Sequence, residues 1–213
     1  MHNVFAYHED FDRNLSHGHQ LVIDHWRRSW AKQGWNPVVL GIEDAKRNPM
    51  FKEFDARCRK LPTANTVEYE LACYRRWMAV AAAGGGFMSD YDVINYGFKA
   101  REPEADLVIY ESATHCNSVV PSVVGGTAYG FLLGCMAFSL PDPNLITSSD
   151  GGKAHTSDMV VMQIFDQKKI YNIAPVVFQY GQDGWDTAPL VHYAHVTTEH
   201  TDRVQCIRTA RPL

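Results

Sequence analysis

Two acidic side chains separated by one residue, Asp90 and Asp92, have the type and spacing of a cation site. They follow the apolar pair Phe87–Met88, which we predict to lie in a buried strand. Like charges this close are costly unless a cation neutralises them, and carboxylate oxygens suit hard cations such as Mg²⁺ or Mn²⁺. Because Mg²⁺ usually completes its shell with substrate phosphates and water, the pair predicts a divalent-cation site facing a phosphate-bearing ligand. The same spacing is also common on solvated loops that bind nothing.

The elements that must position this pair alternate between apolar strands and helices. In the first half we predict strands at 4–7, 37–41 and 87–89, and helices at 16–33, 49–59 and 68–83. That order implies parallel strands joined by crossover helices. In the second half we predict strands at 106–111, 176–179 and 190–193, and helices at 129–138 and 158–166. The polar tail 197–213 gives no clear assignment.

Further polar residues follow the first two strands. His8 comes directly after the first strand, and Asp44 comes shortly after the second. Ligands of open α/β sheets bind at the carboxyl ends of the strands. We therefore expect His8, Asp44 and the Asp90–Asp92 pair to lie on one rim of the sheet.

A longer pattern surrounds the aspartates between Arg76 and Asp92. It reads Arg-Trp, six further residues, and then Gly-Gly-Gly-Phe-Met-Ser-Asp-Tyr-Asp. This string resembles the signature of GT-A-fold glycosyltransferases with a DXD motif, in particular members that act in mannan and capsular polysaccharide synthesis. The sequence departs from it by one extra glycine, by Ser89 in place of an apolar residue, and by Cys73 where some members have an acid. A chlorella-virus glycosyltransferase domain has about this length.

The resemblance implies a fold and an activity. The fold would be α/β, a GT-A (nucleotide-diphospho-sugar transferase, Rossmann-like) mixed sheet flanked by helices. Residues 1–213 would form a single domain, with 1–95 as the nucleotide-sugar-binding half and 96–213 as the half that binds the acceptor and completes the metal site. The activity would be metal-dependent transfer of a sugar from a UDP- or GDP-sugar to a glycan or other hydroxyl acceptor. Families with this motif are mainly retaining, so we expect retention.

The resemblance also implies a metal site. Asp92 would bind the cation directly, and Asp90 would bind the cation or the hydroxyls of the sugar and ribose. Several GT-A families place a metal-binding histidine before an aromatic residue in a late strand, which His192 and Tyr193 match. Imidazole suits Mn²⁺ better than Mg²⁺, so Mn²⁺ is the expected cofactor, with Mg²⁺ as the alternative. His192 could equally be a hydrogen-bonded core residue.

The nucleotide is expected at the end of the first strand. Tyr7 and His8 can stack on or hydrogen-bond a uracil or guanine ring, although Tyr7 could instead pack in the core. Asp44 is placed to accept a hydrogen bond from the base, or to cap a helix. Arg76 would contact the base or ribose, or pair with a nearby acid, and Tyr91 would contact the nucleotide sugar.

Three features of the second half complete the expected site. Asp158, in the first turn of a predicted helix, is the acid we nominate as a catalytic residue that touches acceptor or donor sugar, although the helix dipole alone favours an acid there. His195 is placed to hydrogen-bond the diphosphate. Gly125–Gly126 would form either a close-approach loop beside the donor sugar or a tight turn.

Composition and charge restrict the remaining possibilities. The chain has 213 residues, is 46% hydrophobic, and carries 20 basic and 24 acidic residues for a net charge of −4. Without a clustered basic face a nucleic-acid partner is not expected. Five scattered cysteines favour reduced thiols. The sequence shows no signal peptide and no run of about 18 apolar residues, so a cytoplasmic protein without a membrane span is expected.

Two other functions are compatible with paired acids. A metal-dependent phosphoesterase or nucleotidyltransferase is one, but sugar-phosphate nucleotidyltransferases usually carry a glycine-rich basic loop after the first strand, and the chain has the acidic sequence His8-Glu9-Asp10 there. The other is a non-catalytic carbohydrate-binding module on the same fold. Only a measurement of turnover separates this module from a transferase.

Overall fold

A mixed β-sheet forms the centre of the computed structural model, which describes residues 2–10, 16–63, 65–113, 118–139, 147–148, 154–167, 172–194 and 200–211. The strands are β1 (His2–Tyr7), β2 (Trp35–Leu40), β3 (Gly85–Ser89), β4 (Val93–Asn95), β5 (Leu107–Ala113), β6 (Ser118–Val119), β7 (Val123–Thr127), β8 (Thr147–Ser148), β9 (Ala154–His155), β10 (Asn172–Gln179) and β11 (Leu190–His192). The helices are α1 (Ser16–Lys32), α2 (Ile42–Ala45), α3 (Phe51–Cys58), α4 (Val67–Ala82), α5 (Ala128–Ser139), α6 (Asp158–Gln167) and α7 (His200–Ala210).

The strand order of the sheet sets which ends meet. Eight strands lie in the order β2-β1-β3-β7-β5-β10-β11-β4, and the short β6 pairs with β5. The strands β2, β1 and β3 run parallel, as do β5, β10 and β11. The strand β7 is antiparallel to both β3 and β5, so these two triplets point the same way. Six strands therefore present their carboxyl ends at one rim, as expected for a ligand site.

Both faces of the sheet are covered. Along β1, Phe5 belongs to one buried cluster, whereas Val4 and Ala6 belong to another, because successive side chains of a strand point to opposite faces. The first cluster packs beneath α4 and α5, and the second packs beneath α1 and α7. The described residues thus form helix–sheet–helix layers, the arrangement predicted from the alternation of strands and helices.

A group of buried tryptophans fixes the segments on both sides of the aspartates. Trp26 and Trp30 lie on the inner face of α1, and Trp35 begins β2. Their indole N–H groups donate to the Ser89 hydroxyl and to the carbonyls of Val93 and Phe98, respectively. Ser89, the polar departure from the motif, is therefore satisfied inside the core as an acceptor for Trp26.

The helix α4 leads directly into the strand that carries the site. Thr66 caps it by accepting a hydrogen bond from the Tyr69 amide, and Glu68 lies in its first turn, where acids are favoured. The helix stops before Gly84, which has a φ of 97°. Gly85 is the first residue of β3, and only glycine fits there because a Cβ atom would lie 2.5 Å from the amide nitrogen of Ala128. The glycine run thus lets β3 approach the start of α5 closely.

One expectation is wrong, and one segment without a prediction contains a helix. Gly125–Gly126 is not a loop: both glycines lie inside β7, between β3 and β5, where a Cβ at Gly126 would lie 2.5 Å from the Asp106 carbonyl oxygen. Both predicted alternatives for this pair, a loop beside the sugar and a tight turn, are therefore wrong. The unassigned tail contains a helix, α7. Within the part of the chain that is described, none of the helices combines the length and apolar character needed to cross a membrane.

Candidate active site

Asp90, Asp92 and His192 come together at the rim where β3 and β11 end. One possible ligand atom from each residue lies within 4.8 Å of the other two. Nε2 of His192 is 3.4 Å from an Asp92 carboxylate oxygen and 3.9 Å from an Asp90 oxygen. The group offers oxygen and nitrogen ligands to one divalent cation, a donor set compatible with Mn²⁺.

The other ring nitrogen of His192, Nδ1, contacts a carboxylate for which the sequence predicted no role. Nδ1 of His192 is 2.9 Å from an oxygen of Glu111, on β5. Glu111 is 1% exposed and accepts further hydrogen bonds from Ser122 and from Gln179, the latter at 3.1 Å. The ring is thus held with Nε2 toward the two aspartates.

Two arginines neutralise the aspartates in this structure. Arg203 of α7 donates to Asp92 at 3.0 Å and to the Ala194 carbonyl at 3.1 Å. Arg76 of α4 pairs with Asp90 and reaches Asp158 at 2.5 Å. Each aspartate therefore has a cationic partner, as buried like charges require.

Asp158 lies at the start of α6, as predicted, and is only 3% exposed. One of its carboxylate oxygens accepts hydrogen bonds from both Arg76 and the Trp77 indole, the latter at 3.3 Å. Arg76 therefore pairs with acids, one of its predicted alternatives. The chain Asp90–Arg76–Asp158 connects β3, α4 and α6.

The pKa values of the two aspartates shift in opposite directions. Burial raises the pKa of Asp90, Arg76 opposes this effect, and the like charge of Asp92 adds to it. Burial also disfavours the anion of Asp92, but His192 and Arg203 outweigh it and lower the pKa of Asp92. Asp92 is therefore the firmly anionic member of the pair, and Asp90 is the one whose ionisation a bound cation would favour most.

Aromatic and imidazole rings gather beside the aspartates. The rings of His8, His19 and Tyr91 pack together with centroids 5.4 to 5.9 Å apart. Nδ1 of His19 is 2.7 Å from the Tyr91 hydroxyl. Burial lowers the pKa of His8, so its ring favours the neutral form. Two predicted nucleotide-binding residues, His8 and Tyr91, are thus in contact.

The remaining predicted nucleotide residues have structural partners. The Tyr7 hydroxyl donates to Glu9, which is held by Arg75 at 3.0 Å. Asp44 accepts from the Gly41 amide at 2.9 Å, which closes the first turn of α2, and lies 3.3 Å from Arg47. Tyr7 also packs against the core, as its structural alternative predicted, whereas Asp44 is not the N-cap of α2 but lies in its first turn and accepts from the N-cap residue, Gly41. The roles of both residues in nucleotide binding remain predictions. An open cavity of about 380 Å³ lies between the ends of β1 and β2.

Some site residues had little or no sequence signal. Glu111 had a weak signal, because a carboxylate directly after the apolar run Leu107–Tyr110 needs hydrogen-bond partners if it is buried. Arg203 had no signal in the sequence, because α7 is polar and lies far along the chain from Asp92. His195, expected to bind the diphosphate, lies outside the described residues.

The strand order and the helical layers form the mixed α/β sheet flanked by helices, of GT-A type, that the sequence predicted. The chain shares this fold with the crystal structure of a glycosyltransferase involved in the glycosylation of the major capsid of PBCV-1. The two structures align with a TM-score of 0.61 over 97% of this chain and 98% of that one. The two sequences are 11% identical, so the likeness establishes a common fold.

Sequence comparisons add one family match. Residues 3–103 match a domain of unknown function, DUF8765. The matched range includes Asp90 and Asp92 and ends before His192. No curated protein matches the chain.

Proposed function

We propose that this protein is a metal-dependent glycosyltransferase that moves a sugar from a UDP- or GDP-sugar to a glycan or other hydroxyl acceptor. The observation that carries the proposal is the cluster of Asp90, Asp92 and His192 at the carboxyl-end rim. The GT-A fold supports it, because this rim is where open α/β sheets bind ligands.

The donor set fits a divalent cation that faces a diphosphate. Asp90 and Asp92 supply oxygens, and His192 supplies a nitrogen that favours Mn²⁺ over Mg²⁺. When bound, the cation supplies Lewis-acid stabilisation of negative charge on the leaving diphosphate. Arg203, whose guanidinium lies 3.0 Å from Asp92, adds a positive charge beside the proposed cation site, which would favour an anionic diphosphate.

The ring cluster beside the aspartates is the proposed nucleotide end. His8 and Tyr91 present rings to the base or ribose, and the open cavity at the ends of β1 and β2 extends from His8 toward Gly41. Residues 1–95 would then hold most of the nucleotide sugar, and residues 96–213 would complete the metal site through His192 and bind the acceptor.

The contacts of Asp158 bear on stereochemistry. An inverting transferase needs a carboxylate that accepts the proton of the acceptor hydroxyl. Asp158 is buried and already accepts hydrogen bonds from Arg76 and Trp77. This arrangement supports a role for Asp158 in fixing Arg76 at the donor site, and it favours a retaining reaction.

The decisive experiment is thermal unfolding with UDP, GDP, CDP and ADP, each with and without Mn²⁺. A ligand that binds only the native state raises the unfolding midpoint by mass action. At a ligand concentration of 100 times Kd, the free energy of unfolding increases by about 2.7 kcal/mol. We expect a shift that requires both Mn²⁺ and one diphosphate. Hydrolysis of the corresponding sugar nucleotides then identifies the donor.

The outcomes separate the possible functions. A Mn²⁺-dependent shift with a nucleoside diphosphate, together with release of sugar from its donor, supports the transferase. Binding without turnover of any donor would indicate a carbohydrate-binding module. Folded protein that binds no nucleoside diphosphate would contradict the proposal.

A further inference from the structure

A buried carboxylate, Glu111, has no role in the catalytic scheme above. It lies on β5, is 1% exposed and approaches His192 of β11 from the side opposite the aspartates. Burying a carboxylate is costly unless it is fully hydrogen-bonded. Such a residue in the middle of an apolar sheet therefore needs an explanation.

The hydrogen bonds of Glu111 form a complete network. One carboxylate oxygen accepts from Gln179 of β10, and the other accepts from the Ser122 hydroxyl and faces Nδ1 of His192 at 2.9 Å. Three polar groups therefore converge on this carboxylate, and two of them, the Ser122 hydroxyl and the Gln179 amide, donate to its oxygens. Because a carboxylate held in this way accepts, Nδ1 of His192 donates the hydrogen in the third contact.

This contact decides which nitrogen of His192 is available. With Nδ1 donating to Glu111, Nε2 is the ring nitrogen left to bind a metal, and it lies 3.4 Å from Asp92 and 3.9 Å from Asp90. A metal-binding histidine usually donates its other N–H to a carboxylate or carbonyl, which fixes the ring and raises its basicity.

We propose that Glu111 is a positioning residue for the metal site: braced by Ser122 and Gln179, it orients His192 and makes the site prefer Mn²⁺ over Mg²⁺. The inference rests on the proposed metal-dependent function. It extends that function to a residue that contacts neither the cation nor the substrate.

The preference for Mn²⁺ follows from the ligand types. Mg²⁺ depends mainly on the carboxylate oxygens and water, whereas Mn²⁺ also gains from the imidazole nitrogen. Loss of the Glu111 contact weakens the nitrogen ligand and leaves both carboxylates in place. Mn²⁺ affinity should therefore fall further than Mg²⁺ affinity.

The test is direct titration of the purified full chain with Mn²⁺ alone and with Mg²⁺ alone, for wild type, Glu111→Gln and Glu111→Ala. Glu111→Ala should lower Mn²⁺ affinity by about 10- to 100-fold, the usual cost of losing such a supporting residue. Glu111→Gln retains a hydrogen-bond acceptor without the charge, so its Mn²⁺ affinity should lie between those of Glu111→Ala and the wild type. Both variants should reduce the ratio of Mn²⁺ to Mg²⁺ affinity.

Glu70→Gln is the matched control, because Glu70 is also a buried carboxylate, 5% exposed, but bonds to Asn65 instead of His192. It should leave both affinities unchanged. If Glu111→Ala does not fold, Glu111→Gln carries the test. Unchanged Mn²⁺ affinity in the Glu111 variants, or equal losses for Mn²⁺ and Mg²⁺, would overturn the inference and leave the proposed function intact. A wild type that binds no Mn²⁺ would overturn both.

Discussion

Asp92 connects the candidate metal site to the last helix of the chain. One of its oxygens lies 3.4 Å from His192, and the other accepts a hydrogen bond from Arg203. The Asp92 carboxylate therefore contacts His192 and Arg203 in this structure, and it would also bind the metal ion when one is present. That arrangement makes it the residue whose replacement should affect ligand binding most directly.

Replacing Asp92 with asparagine keeps its shape and removes its charge. We expect Asp92→Asn to abolish Mn²⁺-dependent binding of nucleoside diphosphates, a larger loss than the roughly 10- to 100-fold typical of a supporting residue. Calorimetric titration measures the affinity, and circular dichroism shows whether the fold is retained. Asp183→Asn, an exposed acid in the turn after β10, is the control and should bind normally. Normal binding by Asp92→Asn would mean that the metal site is misassigned.

The protonation of His192 makes metal binding depend on pH. Burial disfavours its charged form, but Glu111 and Asp92 outweigh this effect and raise the pKa of His192 well above its usual value. The ring is therefore protonated at neutral pH without metal, and a metal ion must displace the proton on Nε2. Below that raised pKa, acid should weaken binding, and higher pH should strengthen it.

We expect Mn²⁺ affinity, measured from about pH 6 to about pH 8, to rise with pH by up to about tenfold per pH unit below the raised pKa of His192, because binding releases one proton. Titrations in buffers of different ionisation enthalpy measure the released proton directly. His192→Gln should bind more weakly and lose most of this dependence. A wild-type affinity that is constant over this range would show that His192 is not a ligand.

At the level of elements, α4 carries the connections between the site and its surroundings. Arg75 and Arg76 are adjacent in sequence but point to different acids: Arg75 pairs with Glu9 and Asp55, whereas Arg76 pairs with Asp90 and Asp158. Through these pairs α4 is tied to α3, to the segment after β1 and to the segment after β3. A change in α4 should therefore affect both stability and the site.

Removing the Arg76 charge should destabilise the protein substantially. Arg76→Met leaves Asp158 and Asp90 without their buried cationic partner, and breaking such a pair typically costs about 3–5 kcal/mol. Urea unfolding measures the loss, part of which saturating Mn²⁺ should restore by neutralising Asp90. Arg57→Met removes an exposed pair with Glu53 and should change the free energy of unfolding by about 1 kcal/mol or less. Equal effects of both changes would contradict the buried network.

At the level of the whole molecule, the sheet interleaves the two halves of the sequence. The strands β2, β1 and β3 come from the first half, but β4, which directly follows the aspartates, lies at the far edge beside β11. The register pairs Val93 with His192, which places Asp92 next to the histidine. The metal group therefore exists only when both halves are folded together.

We predict that the chain unfolds in one cooperative step and that neither half folds alone. A fragment of residues 1–95 would lack β7 against β3 and β11 against β4, and would expose a long sheet edge. Circular dichroism and thermal unfolding of the fragments 1–95 and 96–213 measure this. A cooperative transition in an isolated half would indicate two independent domains.

Local patterns in the sequence were sufficient for the longer elements of the first half, but they did not predict the short α2 and β4. The glycine run after α4, the apolar β3 and the acids that follow it are local features, so the resemblance to GT-A enzymes led to the correct fold. The parallel direction of β1, β2 and β3 followed from the intervening helices. Ser157–Asp158 marked the start of α6 for the same local reason.

Tertiary structure decided the partners of those residues. Gly125–Gly126 reads as a turn because glycine favours turns, but its lack of side chains lets β7 pass between β3 and β5. Arg203 meets Asp92 from a polar helix over a hundred residues away, and Glu111 meets His192 across β10. The sequence by itself determined which residue types end each strand. Only the order of strands in the sheet determined which of these ends meet, because that order depends on packing between distant segments.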